Sequence, residues 1–338
     1  MKLTINKTKC RVTLLACMIS CLFLFPETLT AQDSTGTVDE MAMPVKAKPV
    51  KNTFQSVWII DNQTVLVPVK KTFEMDIQHR FGTVKNGYED FWGFFAPSNI
   101  RLGFSYVPIN KLNVGIGFTK TTAAIIPEQS ISSVTGPLWD GSLKYSIITQ
   151  TKGMYPVSVT YYANASFNTK KDKAKDVYRN YSDRLSYFHQ LIIARKVTDK
   201  LSVQVAPSIS HHNVVNGYFV KLNDSTLKVK PDMKFDHFAV ALSARYKLTD
   251  VTSVMINYDQ PITKHVSNNP NPSLSFGLEF NTSSHSFQIF ATNYFYLVPQ
   301  INNLYNTNSP FKYTDAADTK VEGGKFLIGF NITRLWNY

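Results

Sequence analysis

The feature that most constrains this chain is a period-two alternation that starts at Lys71 and recurs to the C-terminus. Phe73, Met75, Ile77 and Phe81 alternate with Glu74, Asp76, Gln78 and Arg80, so an extended segment here has one apolar and one charged face. Ile100, Leu102, Phe104 and Tyr106 alternate with Asn99, Arg101, Gly103 and Ser105. Leu112, Val114, Ile116 and Phe118 then alternate with Asn113, Gly115, Gly117 and Thr119. Further strands are expected near 141–150, 155–168, 184–197, 201–213, 236–248, 251–260, 272–282, 285–296 and 324–336, twelve in all. Two apolar faces compete in 184–197 and 251–260. Pro156 and Pro207 lack the N–H a ladder needs, which predicts a bulge or a strand end at each.

Connection lengths alternate as well. Short turns fall at 109–111, 151–153, 198–200, 249–250 and 283–284, and longer loops at 83–98, 120–140, 169–183, 214–235, 261–271 and 297–323. This ordering gives an even strand count with both termini on the short-turn side. It predicts an all-β fold, an antiparallel transmembrane barrel of about twelve strands with short periplasmic turns and long outer loops. A secreted β-sandwich also alternates, but it has no reason to gather its long loops at one end. Composition excludes collagen-like, coiled-coil and wholly disordered chains. Phe326, Ile328, Phe330, Ile332, Trp336 and Tyr338 share one parity, placing Trp336 and Tyr338 in an interfacial girdle. Arg334 shares that outward parity and so belongs at the membrane boundary.

The N-terminus has the layout of an export signal. Lys2, Lys7, Lys9 and Arg11 precede an apolar stretch from Val12 to Phe25, and Leu29-Thr30-Ala31 suits cleavage before Gln32. The expected organisation is a signal peptide over 1–31, a flexible periplasmic linker over 32–53, an N-terminal segment at the barrel mouth over 54–70, and the barrel over 71–338. Leu14-Leu15-Ala16-Cys17 imitates a lipoprotein box, but the longer apolar stretch follows it. Cys10, Cys17 and Cys21 all lie in the leader, so the mature chain has no disulfide, thiolate metal site or cysteine nucleophile. It keeps 32 Lys/Arg against 23 Asp/Glu, a net charge of +9. No nucleic-acid motif accompanies this charge, and phosphorylated glycolipid, acidic polysaccharide or a small anion fits an exported protein better.

Phe54 to Gly82, with Asp61-Asn62-Gln63-Thr64 before the first strand and His79-Arg80-Phe81-Gly82 closing it, resembles an uncharacterised β-barrel family exported by Bacteroidota. The likeness extends through Ile100-Arg101-Leu102-Gly103 and more loosely to Tyr338. The resemblance implies an outer-membrane location and a porin-like barrel, and no chemistry.

Catalytic and metal chemistry find little support. His211-His212-Asn213 with Asn216-Gly217 loosely resembles the cluster of outer-membrane phospholipases, but the serine of that pattern is missing; Ser208 and Ser210 share the inward parity with His212. His211 and His212 point to opposite faces of a strand, and no metal site or cofactor is expected. Glu74 and Asp76 have the spacing of a carboxylate pair, yet Arg80 and Arg101 face the same interior. The expected site is a lumen charge network of Glu74, Asp76, Arg80, Arg101, Lys144, Arg245, Lys247, Glu279 and Lys325, which would bias ion selectivity. The aromatic loop around Phe91, Trp92, Phe94 and Phe95 lies at the lipid surface, folds into the lumen or binds a partner. Lys170, Lys171, Lys173 and Lys175, with Asp172 and Asp176, read as a solvated loop face with glycolipid phosphate as a second reading.

These features predict a non-enzymatic, porin-like passage in the outer membrane for small solutes or ions, with mild anion preference. The alternative is a non-conducting scaffold docking a periplasmic or surface protein through the N-terminal segment or outer loops. Either form would meet outer-membrane lipid and glycolipid and the barrel-assembly machinery.

Overall fold

The computed structural model describes residues 48–51, 53–121, 137–169, 178–215, 217–223, 226–266, 269–314 and 320–337. The expected signal peptide with its three cysteines, most of the linker, the Lys170–Lys175 charge run and Tyr338 lie outside the described residues.

Twelve strands form one closed antiparallel barrel. They are β1 (Thr72–Thr83), β2 (Asn99–Ile109), β3 (Leu112–Thr121), β4 (Leu138–Ile148), β5 (Ser158–Asn168), β6 (Leu185–Lys196), β7 (Leu201–His212), β8 (Asp236–Lys247), β9 (Thr252–Pro261), β10 (Ser273–Asn281), β11 (His285–Thr292) and β12 (Leu327–Asn337). Each strand pairs with its neighbours in the chain, and β12 closes on β1 with Ile332 opposite Ile77. Closure leaves no edge with unpaired backbone groups. The alternation acts as the sequence requires: Glu74, Asp76, Gln78 and Arg80 are buried inside, while Phe104, Ile116, Phe276 and Ile289 are exposed outside. Polar residues inside and apolar ones outside invert the arrangement of a water-soluble sandwich, and the outer face suits lipid.

Several boundaries differ from the sequence expectation. Pro156 precedes β5. Pro207 sits inside β7 with no register shift, its side chain facing outward. The missing N–H instead leaves Leu191 and Ile192 unpaired on the β6 side, between the Gln190–Ser208 and Ile193–Val205 pairs. The strand expected over 285–296 stops at Thr292, where Asn293 turns the chain inward by donating its side-chain amide to the Pro272 and Asn308 carbonyls, both at 2.8 Å. Residues 293–309, including helix α1 (Pro299–Tyr305), then fold into the barrel from the long-loop end.

The N-terminal segment is not at the mouth. Residues 54–65 fold as a tight hairpin inside the lumen, with Trp58–Ile59 paired to Asn62–Gln63 across a turn at Ile60-Asp61. Ile60 takes φ 55 there, an unusual setting for a β-branched residue that its complete burial holds in place. The hairpin enters from the short-turn end, where Val50 donates to the Gln150 carbonyl at 2.7 Å. It leaves along 66–70 to β1.

Candidate functional site: a filled lumen

Two-residue strands cannot satisfy their own backbone, so the barrel wall completes the hairpin. Side-chain amides donate to its carbonyls: Gln288 to Trp58 at 2.7 Å, Asn257 to Ile59 at 2.6 Å, Asn331 to Ile60 at 2.7 Å and Gln204 to Gln63 at 2.8 Å. The Thr160 hydroxyl donates to Val65 at 3.0 Å. These donors come from five strands around the barrel, so the hairpin is gripped on several sides.

Side-chain pairs add to the grip. Asp61 at the tip accepts from Arg80 at 2.8 Å, with both side chains 1% exposed, and from Ser275 and Thr292 at 3.0 and 2.7 Å. Arg80 also donates to Asn331 at 3.0 Å and lies 4.5 Å from the Phe290 ring centroid. Asn62 donates to Asp259 at 2.9 Å, and Lys144 to Gln63 at 2.9 Å. At the base, Gln55 accepts from Arg245 and Asn281, while Arg245 pairs with Glu279 at 2.5 Å.

One flank of the hairpin is apolar. Phe54, Ile59, Ile60 and Val65 share a buried cluster with Tyr162, Phe188, Ile192, Ala194, Ala206, Ala241, Met255 and Phe290. Phe188, Ile192 and Ala194 explain why 184–197 shows two apolar faces: one meets lipid, the other meets the hairpin.

Arg101 is the second charged centre. It holds Asp140 through two nitrogens at 2.8 and 3.0 Å and Asp76 at 2.9 Å. Asp76, Gly103, Gly117 and Asp140 stand opposite one another in register on β1 to β4, so two glycines separate the carboxylates. The guanidinium lies over those glycines; a Cβ on Gly103 would come 2.6 Å from one guanidinium nitrogen, and one on Gly117 2.6 Å from the guanidinium carbon. Glu74 borders a cavity of about 30 Å³ with Lys144, Ser105 and Asn113, room for a water or two. A larger cavity of about 450 Å³ lies at the short-turn end between the hairpin base and 281–286.

Of the expected charge network, Glu74, Asp76, Arg80, Arg101, Lys144, Arg245 and Glu279 are buried within the lumen. Lys247 and Lys325 are not. Lys247 ends β8 and pairs with Asp250 of the adjoining turn at 2.6 Å, because inward parity at a strand's last residue points to the rim. Lys325 precedes β12, whose pairing shifts between Leu327 and Gly329, and its N–H donates to Ser309 in the long-loop segment. Sequence pattern alone does not single out Asp61, Asp140 or Asp259 as lumen charges; Asp140 carries the right parity but sits just before the expected start of its strand.

The long-loop end is filled by 293–309. Gln300 of α1 donates to Asn164 and Ser166, both at 3.0 Å, and its carbonyl accepts from His212 at 3.1 Å. Asn303 donates to Ser208 and Ser210 at 3.4 Å. The structure thus joins His212 and the two serines to the loop rather than to one another. The aromatic loop turns outward: Phe94 packs on the outward-facing Phe81 at a ring distance of 4.6 Å. Trp336 lies 5.5 Å from Phe73 and 4.8 Å from the Arg334 guanidinium.

The fold and its contents define a membrane-spanning β-barrel whose lumen is occupied by its own chain. Residues 54–336 match the family described as membrane bound beta barrel domain (DUF5777), and the chain belongs to that family. No curated protein matches. Among solved structures, the NanC porin aligns over 79% of this chain and 99% of its own at 9% identity and a TM-score of 0.41. The KdgM porin in complex with disordered oligogalacturonate aligns over 78% and 99% at 8% identity and 0.41. An outer membrane channel from Pseudomonas putida F1 aligns over 80% and 97% at 12% identity and 0.42.

Proposed function

We propose that the protein is an outer-membrane passage for small polar solutes, held closed in this structure by its N-terminal hairpin and by residues 293–309. The observation that carries the reading is how the hairpin is held. Apart from one apolar flank, it is fastened by hydrogen bonds from Gln, Asn, Thr, Ser, Lys and Arg side chains. Such groups exchange for water when the hairpin leaves, so the vacated wall is a hydrated, hydrogen-bonding surface.

The polar, partly charged inner face and the basic chain suggest a mild anion preference, whereas the buried wall charges support a different balance. Arg80, Arg101, Lys144 and Arg245 stand against Glu74, Asp76, Asp140, Asp259 and Glu279, so the unplugged lumen favours cations weakly.

Planar-bilayer recording tests the reading. The intact chain should be mostly silent, and a chain lacking 48–66 with 294–308 shortened should conduct steadily, with a reversal potential displaced toward the cation. If that double-deleted chain folds, as shown by heat-modifiable gel migration, and stays silent, the passage fails. The scaffold reading then stands, supported by occupation of the lumen from both ends.

A further inference from the structure

The long-loop side of the barrel carries an aromatic group that the passage does not use. Residues 84–98 join β1 to β2 and display Tyr88, Phe91, Trp92, Phe94 and Phe95, with Tyr88 and Phe95 each more than 80% exposed. We propose that this loop is a lipid-docking fan that inserts into the leaflet surrounding the long-loop end of the barrel. The proposal is independent of conduction and needs only that the barrel spans a membrane.

Continuity with the lipid-facing wall identifies the occupant. Phe330 on β12 and Phe81 on β1 face outward, with ring centroids 6.2 Å apart. Phe94 continues from Phe81 at 4.6 Å, Phe91 from Phe94 at 5.9 Å, and Phe95 and Trp92 from Phe91 at 5.6 and 5.4 Å. Tyr88 ends the series 6.1 Å from Trp92. An unbroken aromatic surface therefore runs from the transmembrane wall onto the loop, where tyrosine and tryptophan suit the boundary between acyl chains and headgroups.

The backbone is arranged to keep these rings outside. Phe91, Trp92 and Gly93 take φ of 50, 54 and 85, three successive left-handed residues of which two carry aromatic side chains. Strain of this kind, at residues that make little use of burial, points to a ligand-facing role. Gly82 donates its N–H to the Gly93 carbonyl at 3.0 Å, fastening the loop against the strand. The Asp90 carboxylate is turned back to accept from Gly93 at 2.8 Å and Asn86 at 2.9 Å, so it is engaged within the loop.

The test uses the full chain with Cys10, Cys17 and Cys21 replaced by serine and a single cysteine at Phe95→Cys, labelled with an environment-sensitive fluorophore and folded into phosphatidylcholine vesicles. Tyr88→Cys provides a second site, and Asp199→Cys in a short turn a water-exposed reference. A lipid-borne quencher should reduce emission at 95 and 88 several-fold more than at 199. Gly82→Val, which drives a side chain into Ala96, should lift the loop and remove the difference. Equal quenching at all three sites overturns the proposal. So does fluorophore self-quenching at 95 that weakens as the protein is diluted in lipid, which would assign the fan to a second copy of the chain.

Discussion

Replacing Asp61 by alanine should release the hairpin, and the size of the effect follows from what it leaves behind. The substitution strands the Arg80 guanidinium, 1% exposed, without its carboxylate. Breaking a buried ion pair from one side costs about 3–5 kcal/mol. Arg80 keeps its bonds to Asn331 and the His79 carbonyl and its contact with Phe290, which argues for the lower end. A loss of about 3 kcal/mol corresponds to roughly a hundredfold rise in the undocked fraction, at about 1.4 kcal/mol per tenfold. The assay is thiol labelling of a Ser56→Cys reporter, 4% exposed when docked, in a chain with Cys10, Cys17 and Cys21 replaced by serine. With docking fast relative to labelling, the rate tracks the undocked population, so Asp61→Ala should label about a hundred times faster. Asp61→Ala with Arg80→Met leaves no unpaired charge and should return to within about tenfold of the parent. Equal rates in the parent and Asp61→Ala, or no recovery in the double variant, would refute the reasoning.

Other outcomes follow from the same geometry. Gly117→Ala should displace Arg101 from Asp140 and cost about 1–3 kcal/mol, read as a lower temperature for loss of the heat-resistant gel band. His265 accepts the Lys234 N–H on Nδ1 at 2.9 Å, so its Nε2–H donates to His237 Nδ1 at 2.9 Å. Burial, reinforced by Lys234 and opposed by Asp232, holds His265 below its usual 6.5. The native state therefore binds fewer protons, and the stability of the contact that His265 makes with Lys234 and His237 is present above about pH 6.5 and lost as pH falls below it. Hydrogen exchange of 232–236 and 262–266, corrected for intrinsic rates, should quicken between pH 7.5 and 5, and His265→Gln should flatten that response. Trp336→Ala removes the Phe73 and Arg334 contacts and should cost about 0.5–1.5 kcal/mol in the same gel assay.

The wall was legible because lipid outside and polar groups inside impose one rule on every strand. Hence the alternation at Phe73–Phe81 and Ile100–Tyr106 translates directly into β1 and β2. Parity does not encode height, so it assigns Lys247 and Lys325 to the lumen although one sits on the rim and the other on a loop. The hairpin escaped for a different reason. Its strands are two residues long and their remaining backbone groups are met by wall amides, so nothing periodic marks Trp58–Gln63. The signal lay in the wall: Phe188, Ile192 and Ala194 on the inward side of β6 are too apolar for a hydrated lumen and call for an apolar occupant. Residues 294–296 continue the aromatic composition of β11, so local pattern does not separate strand from inward loop; the long-range side-chain bonds of Asn293 do.

The order of folding follows from where the hairpin's partners lie. Its carbonyls and tip are bound by Thr160, Gln204, Asn257, Gln288 and Asn331, from 95 to 271 residues away in the chain. That site does not exist until β5 to β12 are assembled and β12 has closed on β1, so docking comes after closure although the hairpin is first in sequence. Interactions absent from the rate-limiting step alter escape rather than formation. Asp61→Ala should therefore leave the rate of appearance of the heat-resistant band unchanged within about twofold, while protection of the Ser56→Cys reporter appears later and is lost faster. Protection rising together with the band in one phase, or a slower band in Asp61→Ala, would mean that the barrel closes around a hairpin already in place.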